Sequence, residues 1–302
     1  MKIVSLLPSA TELLGELGLE EYLVAISHEC DTPKSVLHLP HATGSRIPTG
    51  LSQAEINSMV AESIAKDEAL YTVNAALIRE LEPDFVVTQG ICDVCAVTPD
   101  TIETSLRGIS CTLDASTQII SLTGTSIQGI FDDLRTLADA TGTNAKAVSA
   151  IKAARADLAA FSAPTSVKRL ALLEWVDPAY SPGHWVPEQI EAIGFESVLG
   201  KPGDHSRAIH WSEVKDAKPD AVGIICCGFG LEDNAGFAKD ALLDKDALGW
   251  FDGPIVAFDA NRFFSRPTLA VVEGAKRLHE AFEIGRSSGD GFRQINANID
   301  RL

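Results

Sequence analysis

The sequence predicts an α/β fold built as two similar lobes joined by a long helix. Three observations carry that expectation. Short apolar runs alternate with helical patterns, the alternation stops in the middle of the chain, and the two halves echo each other. The echo is ordered: "ELEPDFVVTQG" (80–90) matches "DAKPDAVGIICCG" (216–228) as helix end, Pro-Asp, apolar strand and glycine-bearing loop. Likewise, Pro8-Ser9 followed by a helix stopped at Gly18 matches Pro187 followed by a helix stopped at Gly194.

Taken in order, residues 2–7 (KIVSLL) read as the first strand. Ser9 opens S-A-T-E, a capping box with Glu12, before a helix whose apolar face is Leu13, Leu14 and Leu17. YLVAIS (22–27) is the second strand, and roughly 40–75 is an insertion ahead of the LIRELEPD helix, which Pro83 ends. DFVVTQG and GISCTLDA read as further strands. From about Ser126 to Phe161 two helical stretches follow with no strand between them. The second, NAKAVSAIKAARADLAAF, is rich in strong helix formers and is the expected bridge, near 143–162. The alternation then resumes with KRLALLEW, AVGIICC and PIVAFDAN as strands and VPEQIEAIG and TLAVVEGAKRLHEAF as helices. The expected divisions are a first lobe at 1–122, a helical linker at 123–165, a second lobe at 166–284 and a loose tail at 285–302.

Composition narrows the function classes. Hydrophobic residues make up 45% of the 302, enough for a full core. A formal net charge of −17 disfavours nucleic-acid and anionic-membrane surfaces, which need clustered basic groups. No apolar run has transmembrane length, and IVSLL ends at Pro8, too short for a secretory leader. The expectation is a cytoplasmic protein, or a periplasmic one if a leader has been removed. In a reducing compartment the six cysteines (30, 92, 95, 111, 226 and 227) are free thiols, ligands or redox groups, with Cys111 a small core residue.

Ligands of open α/β sheets bind beyond the carboxyl ends of the strands, where the βα loops converge. This chain places LPSAT (7–11), SHECD (27–31), QGICDVC (89–95) and DAS (114–116) there in the first half. The second half offers WVDPAYSPGHW (175–185), CCGFG (226–230) and DANRFF (259–264). The candidate ligand-binding residues are therefore Pro8, Ser9, His28, Glu29, Cys30, Gln89, Cys92, Cys95, Trp175, Asp177, His184, Trp185, Cys227, Phe229, Asn261 and Phe263, facing a cleft between the lobes.

The Cys92-Asp-Val-Cys95 pair has three readings. A redox pair wants its first thiol at a helix N-terminus, and a zinc site needs two further ligands. Cys30, Cys227, His28 and His184 are the candidates for those in a mixed Cys/His site, although Cys226 and Cys227 are adjacent and at most one faces the site. Plain pocket-wall thiols are the favoured reading. No nucleophile elbow, P-loop or dinucleotide fingerprint is present, so the chain is read as a non-enzyme. The rival classes are a cytoplasmic Cys/His metal-binding protein on the same fold, with zinc as its metal, and an enzyme using Cys92 or Cys30 as nucleophile, with His28 as base for Cys30. Asp31, Asp177 and Asp259 are rim acids that nothing pairs as acid and base.

Five ordered segments, "IVSLLPSATELLGELGLEEYLVAISHECDTP", "LEPDFVVTQGICDVCAV", "RLALLEWVDPAYSPGHWVPEQIEAIG", "PDAVGIICCGFG" and "FDANRFFSRPTLAVVEGAKRL", carry a resemblance. They resemble the periplasmic-binding-protein family that serves iron-siderophore and cobalamin ABC transporters, closest to its cobalamin-binding branch. The resemblance implies a small-molecule ligand, a corrinoid or related metallated compound, clamped between two Rossmann-like lobes bridged by a long helix. Under it, His184 is a candidate for the cobalt of a corrinoid, and Trp185 and Phe229 suit the face of a flat macrocycle. Members of this family dock on the transporter through a glutamate about seven residues before each Pro-Asp pair. Here those positions hold Ala76 and Ser212, with Glu213 adjacent, which puts transporter coupling in doubt.

Overall fold

The computed structural model describes residues 1–66, 70–90, 117–161 and 168–295. The chain forms two compact units, Met1–Gly124 with Gln128–Ile151, and Thr125–Ile127 with Lys152–Leu302. The expected GISCTL strand and the calls on Cys92, Cys95, Cys111 and 114–116 lie outside the described residues.

In the first unit the strands are β1 (Ile3–Ser5), β2 (Leu23–Ala25), β3 (Thr43–Ser45), β4 (Tyr71–Val73), β5 (Phe85–Gln89) and β6 (Gln118–Leu122). Four of them form a parallel sheet in the order β2-β1-β5-β6. Ile3, Val4, Val86 and Val87 are fully buried in its centre. Both faces of a parallel sheet are covered, so such strands read as unbroken apolar runs. Helix α1 (Pro8–Glu16) buries Leu13 and Leu14, and Gly18 takes a φ of +62° just past its end. The insertion is an antiparallel β3–β4 pair with helix α2 (Gln53–Lys66) between its strands. Helix α3 (Ala75–Leu81) starts at Asn74, whose side chain accepts the Leu77 N–H at 3.1 Å. Helix α4 (Ile127–Thr141) follows, then α5 (Asn144–Ala159), and the division between the two units falls inside α5.

The second unit holds β7 (Arg169–Leu173), β8 (Trp175–Val176), β9 (Ala179–Tyr180), β10 (Glu196–Ser197), β11 (Ala221–Ile224), β12 (Ile255–Phe258), β13 (Ser288–Gly289) and β14 (Phe292–Ile295). Its six-stranded sheet has the order β10-β7-β11-β12-β14-β13. The first four strands are parallel, β14 runs antiparallel to β12, and β13 pairs antiparallel with β14. Its helices are α6 (Val186–Ala192), α7 (Trp211–Asp216), α8 (Leu231–Leu243), α9 (Ala260–Phe263) and α10 (Ala270–Leu278), with a π-helical turn at His279–Glu283.

The internal echo is real at the level of topology. Counting the parallel strands of each sheet in chain order, both run second-first-third-fourth. Glu82 and Lys218, each just before the proline of its Pro-Asp pair, take left-handed φ values of +48° and +46°. The residue before proline is disfavoured in the right-handed helical region, so both helices end there.

Three sequence expectations need correction. Ser9 does not cap α1: Leu7 is the N-cap without a side-chain bond, Pro8 occupies the first turn, and Ser9 is buried inside the helix. Proline's fixed φ suits that first position and moves the start ahead of the serine. Strand β6 was missed because QIISL is short and follows turn-forming residues. The tail is not loose up to Ile295, since β14 pairs with β12 across Ile255↔Ile295 and Phe258↔Phe292. Gly291, at φ +75°, turns the chain between β13 and β14, and the four residues of β14 are too few to show a period.

Candidate ligand-binding site

In each sheet the chain reverses its winding between the first and third strands, β1 and β5 in one unit and β7 and β11 in the other. Loops leave the carboxyl ends of such a pair in opposite directions and open a crevice there. These two loop clusters are the candidate sites, each described within its own unit.

In the first unit buried hydroxyls gather where β1 meets α1 and in the loop after β2. Ser5, Ser9, Thr11 and Ser27 are each 2% exposed or less. Ser5 Oγ donates to the Leu7 carbonyl at 2.9 Å, and Thr11 Oγ1 donates to Ser5 Oγ at 2.8 Å. The Cys30 thiol lies 3.2 Å from the same Thr11 oxygen. Thr43, delivered by β3, organises the next loop. Its Oγ1 is 2.9 Å from Ser27 Oγ, accepts the His28 N–H at 3.1 Å and lies 2.8 Å from His28 Nδ1. The insertion therefore braces the loop that carries His28, and Tyr71 from β4 adds a ring contact at 5.9 Å. His28 Nε2 is buried without a hydrogen bond, 4.0 Å from Glu29 Oε1. Burial pushes the His28 pKa below the ordinary histidine value, and the Glu29 carboxylate only partly opposes it.

In the second unit Glu174 follows β7. Its carboxylate accepts the Gly183 N–H at 3.0 Å and the Ser206 hydroxyl. A Cβ on Gly183 would stand 2.4 Å from Ser206 N, so only glycine allows the two segments to lie this close. The β8–β9 hairpin projects Trp175, whose Nε1 donates to the Asp177 carbonyl at 3.1 Å. The loop after β11 comes alongside, with Cys227 N–H on the Glu174 carbonyl at 3.0 Å. That places the Trp175 and Phe229 rings 5.6 Å apart, tilted at 54°. Gly228, at φ +85°, makes the turn between Cys227 and Phe229. Asn261 Nδ2 donates to the Gly228 carbonyl at 3.1 Å.

A scan against protein-family models finds no match, and no curated protein matches by sequence. Solved structures do match. A possible iron-binding (periplasmic solute-binding) protein from Staphylococcus epidermidis ATCC 12228 superposes with a TM-score of 0.67 at 15% identity, covering 94% of this chain and 98% of that one. The periplasmic heme-binding protein HutB of Vibrio cholerae gives 0.64 at 21% identity over 92% and 97%. The periplasmic vitamin B12-binding protein BtuF of Vibrio cholerae gives 0.62 at 17% over 94% and 96%. This chain has the periplasmic solute-binding-protein fold. At such identities the likeness speaks for the fold alone.

On this solute-binding fold, His28, Glu29 and Cys30 lie together in the loop after β2, Gln89 ends β5, Pro8 is half-buried at the start of α1, and Ser9 is buried within that helix. Trp175, Asp177, Cys227, Phe229 and Asn261 gather at those of the second. His184, at φ +54°, joins a tight double segment: its N–H donates to the Asp204 carbonyl, and His205 meets its ring edge-on at 5.3 Å. Two of the expected aromatics belong to the core instead. Trp185 is 5% exposed and spends its N–H on the Phe264 carbonyl at 2.8 Å, and Phe263 is 4% exposed under the Arg262 guanidinium. Loop position alone had suggested exposure, but both sit in short helical turns that pack inward.

Sequence reasoning missed Thr43, Glu174 and Asn234. Their signal, a polar residue in or beside an apolar run, is too common to mark a site. Among the described residues no group of three or more His, Cys, Asp or Glu side chains converges as a metal site. No helix among them is long and apolar enough to cross a membrane. Glu213, beside Ser212, caps α7 through the His210 N–H at 3.0 Å and pairs with Arg207 at 2.8 Å. A cavity of about 610 Å³ opens at the opposite, amino-terminal end of the second sheet, by Lys168, Pro254 and Phe282. There the Lys168 ammonium is already held by the Phe282 carbonyl and lies 3.4 Å from Glu283. The strand-end loops are the better candidate on chemistry.

Proposed function

We propose that this protein is a non-catalytic binder of a corrinoid-like metallated macrocycle, held at the strand ends just described. The observation that carries the reading is the Trp175–Phe229 ring pair at the switch point of the second sheet. Aromatic faces hold a flat conjugated ring well. Charge then favours a corrinoid over other metallated ligands. Asp177 is exposed beside this ring pair, while the guanidiniums of Arg207 and Arg262 in the same unit are paired with Glu213 and Asp290. A porphyrin carrying free carboxylates, or a polyanionic iron chelate, wants cationic partners. The amide-bearing periphery of a corrinoid does not. Titration with dicyanocobinamide, cyanocobalamin and hemin, followed by absorbance and calorimetry, tests the reading. Corrinoid binding is expected, weakened about tenfold by Trp175→Ala or Phe229→Ala, the worth of one ring contact. No heat and no spectral change at high micromolar corrinoid, or binding of hemin alone, overturns it.

A further inference from the structure

Asn234 is wholly buried, yet it lies in the first turns of α8, an amphipathic helix on the surface of the second unit. Its one amide group engages three backbone groups. Oδ1 accepts the Cys226 N–H at 2.8 Å. Nδ2 donates to the Phe229 carbonyl at 3.2 Å and to the Phe258 carbonyl at 2.9 Å. Two of these groups bracket the Cys227–Gly228 turn, and the third is the last residue of β12. A single side chain thus ties the loop after β11 to the neighbouring strand.

We propose that Asn234 is the positioning residue of the ligand-facing turn, setting the distance and tilt between Phe229 and Trp175. This rests on the reading of that ring pair as the ligand face. The chemistry explains why an amide is needed. An aspartate of the same shape accepts from Cys226 but cannot donate to two carbonyls, and it buries a charge. An apolar residue takes away the side-chain partner of the Cys226 N–H and of the Phe258 carbonyl, and leaves the Phe229 carbonyl to the longer bond from Asn261 alone. Asn261 assists from the other side, with Nδ2 on the Gly228 carbonyl at 3.1 Å and its own N–H on the Phe229 carbonyl at 3.3 Å. It touches neither Cys226 nor β12 in these bonds. Without Asn234 the turn keeps its glycine but loses the anchor that fixes where Phe229 points.

The test reads Trp175 without any ligand and then with one. The near-ultraviolet circular dichroism of Trp175 is isolated as the difference between wild type and Trp175→Phe. Asn234→Ala and Asn234→Asp are expected to lose that difference band while the far-ultraviolet spectrum stays native. Gln189→Leu is the control, since it removes another wholly buried amide, one bonded to the Phe263 and Val271 carbonyls, and is expected to keep the band despite lower stability. With dicyanocobinamide as the probe, both Asn234 variants are expected to bind about tenfold or more weakly than wild type, a loss of ~1.4 kcal/mol. A folded Asn234→Ala that keeps the band and binds within about twofold of wild type overturns the proposal. If Asn234→Ala does not fold, Asn234→Ser, which keeps a donor and acceptor of shorter reach, is read in the same way. Should wild type bind no dicyanocobinamide, the ligand reading fails while the band still decides the role of Asn234.

Discussion

Asp84 Oδ2 accepts the backbone N–H of Lys2 at 2.7 Å, clamping the entry of the third parallel strand to the entry of the first. Asp220 repeats the bond on the Arg169 N–H at 2.8 Å in the other unit. In return, the Asp84 and Asp220 N–H groups donate to the Lys2 and Arg169 carbonyls at 2.9 and 2.8 Å. The Pro-Asp pair is thus a register device: proline ends the helix and aspartate seats the next strand beside β1 or β7. Replacing either aspartate with alanine removes one charge-assisted bond at an exposed edge and is expected to cost about 1 kcal/mol. Urea denaturation measures it, and two variants both within about 0.3 kcal/mol of wild type would show the clamp to be incidental.

Gly124 sits where β6 hands the chain to α4. A Cβ there would lie 2.5 Å from Gly129 C and 2.7 Å from Ile130 N, both backbone atoms that cannot swing aside. Asp133 reaches back to accept the Thr123 and Gly124 N–H groups at 3.1 and 2.9 Å, holding the corner closed. Gly124→Ala is expected to destabilise by roughly 1–3 kcal/mol, the range for overpacking. Thermal melting reads the loss. An unchanged melting temperature would mean that the corner can open.

His28 supplies a pH dependence of definite sign. Its folded pKa is lowered, chiefly by burial, so folding favours the neutral ring. A group depressed in this way contributes stability that is fully present above its unfolded value, about 6.5. That stability is lost as pH falls below this value and through the folded pKa. The stability difference between wild type and His28→Gln is therefore expected to shift against wild type as pH falls from about 7.5 to 5. Chemical denaturation across that range checks it, and a difference that stays constant removes His28 as the source.

How legible all this was in the sequence differs by element. The parallel strands were legible because both faces are buried: LALL before Glu174 and FVV before Thr88 have no alternative but the core. The echo was legible because the Pro-Asp pairs at 83–84 and 219–220 do the same structural job. Cap geometry was less so, as Pro8 overrode the S-A-T-E pattern. The site was half legible. A loop position shows that a residue is near a strand end, but not whether its ring stays partly exposed, as with Trp175, or is buried, as with Trp185. Bonds from afar were not legible at all. Thr43 and Asn234 act across 15 residues and 24 residues of chain, on His28 and Phe258 respectively, and no local pattern encodes such a reach.

The C-terminal hairpin offers a contest between charge and burial. Asp290 receives both nitrogens of Arg262, at 2.9 and 3.2 Å, and Arg277 stands 3.6 Å away. The Arg262 hydrogen bond lowers the Asp290 pKa, so its contribution is present at neutral pH and fades as pH falls through the folded value. Yet the Asp290 side chain is 57% exposed, and solvent screening keeps such a cluster below about 1 kcal/mol. Phe292 is 1% exposed, with its ring 5.9 Å from that of Phe258, which also meets Phe264 and Phe282. Truncating it leaves a cavity, and losses of about 3–5 kcal/mol follow from such changes. Burial should win. Phe292→Ala is expected to destabilise several times more than Asp290→Asn, and only the Asp290→Asn effect should shrink in high salt. Denaturation curves at low and high salt separate the two, and a larger loss from Asp290→Asn would mean that the ion cluster, not the aromatic core, holds the hairpin on the sheet.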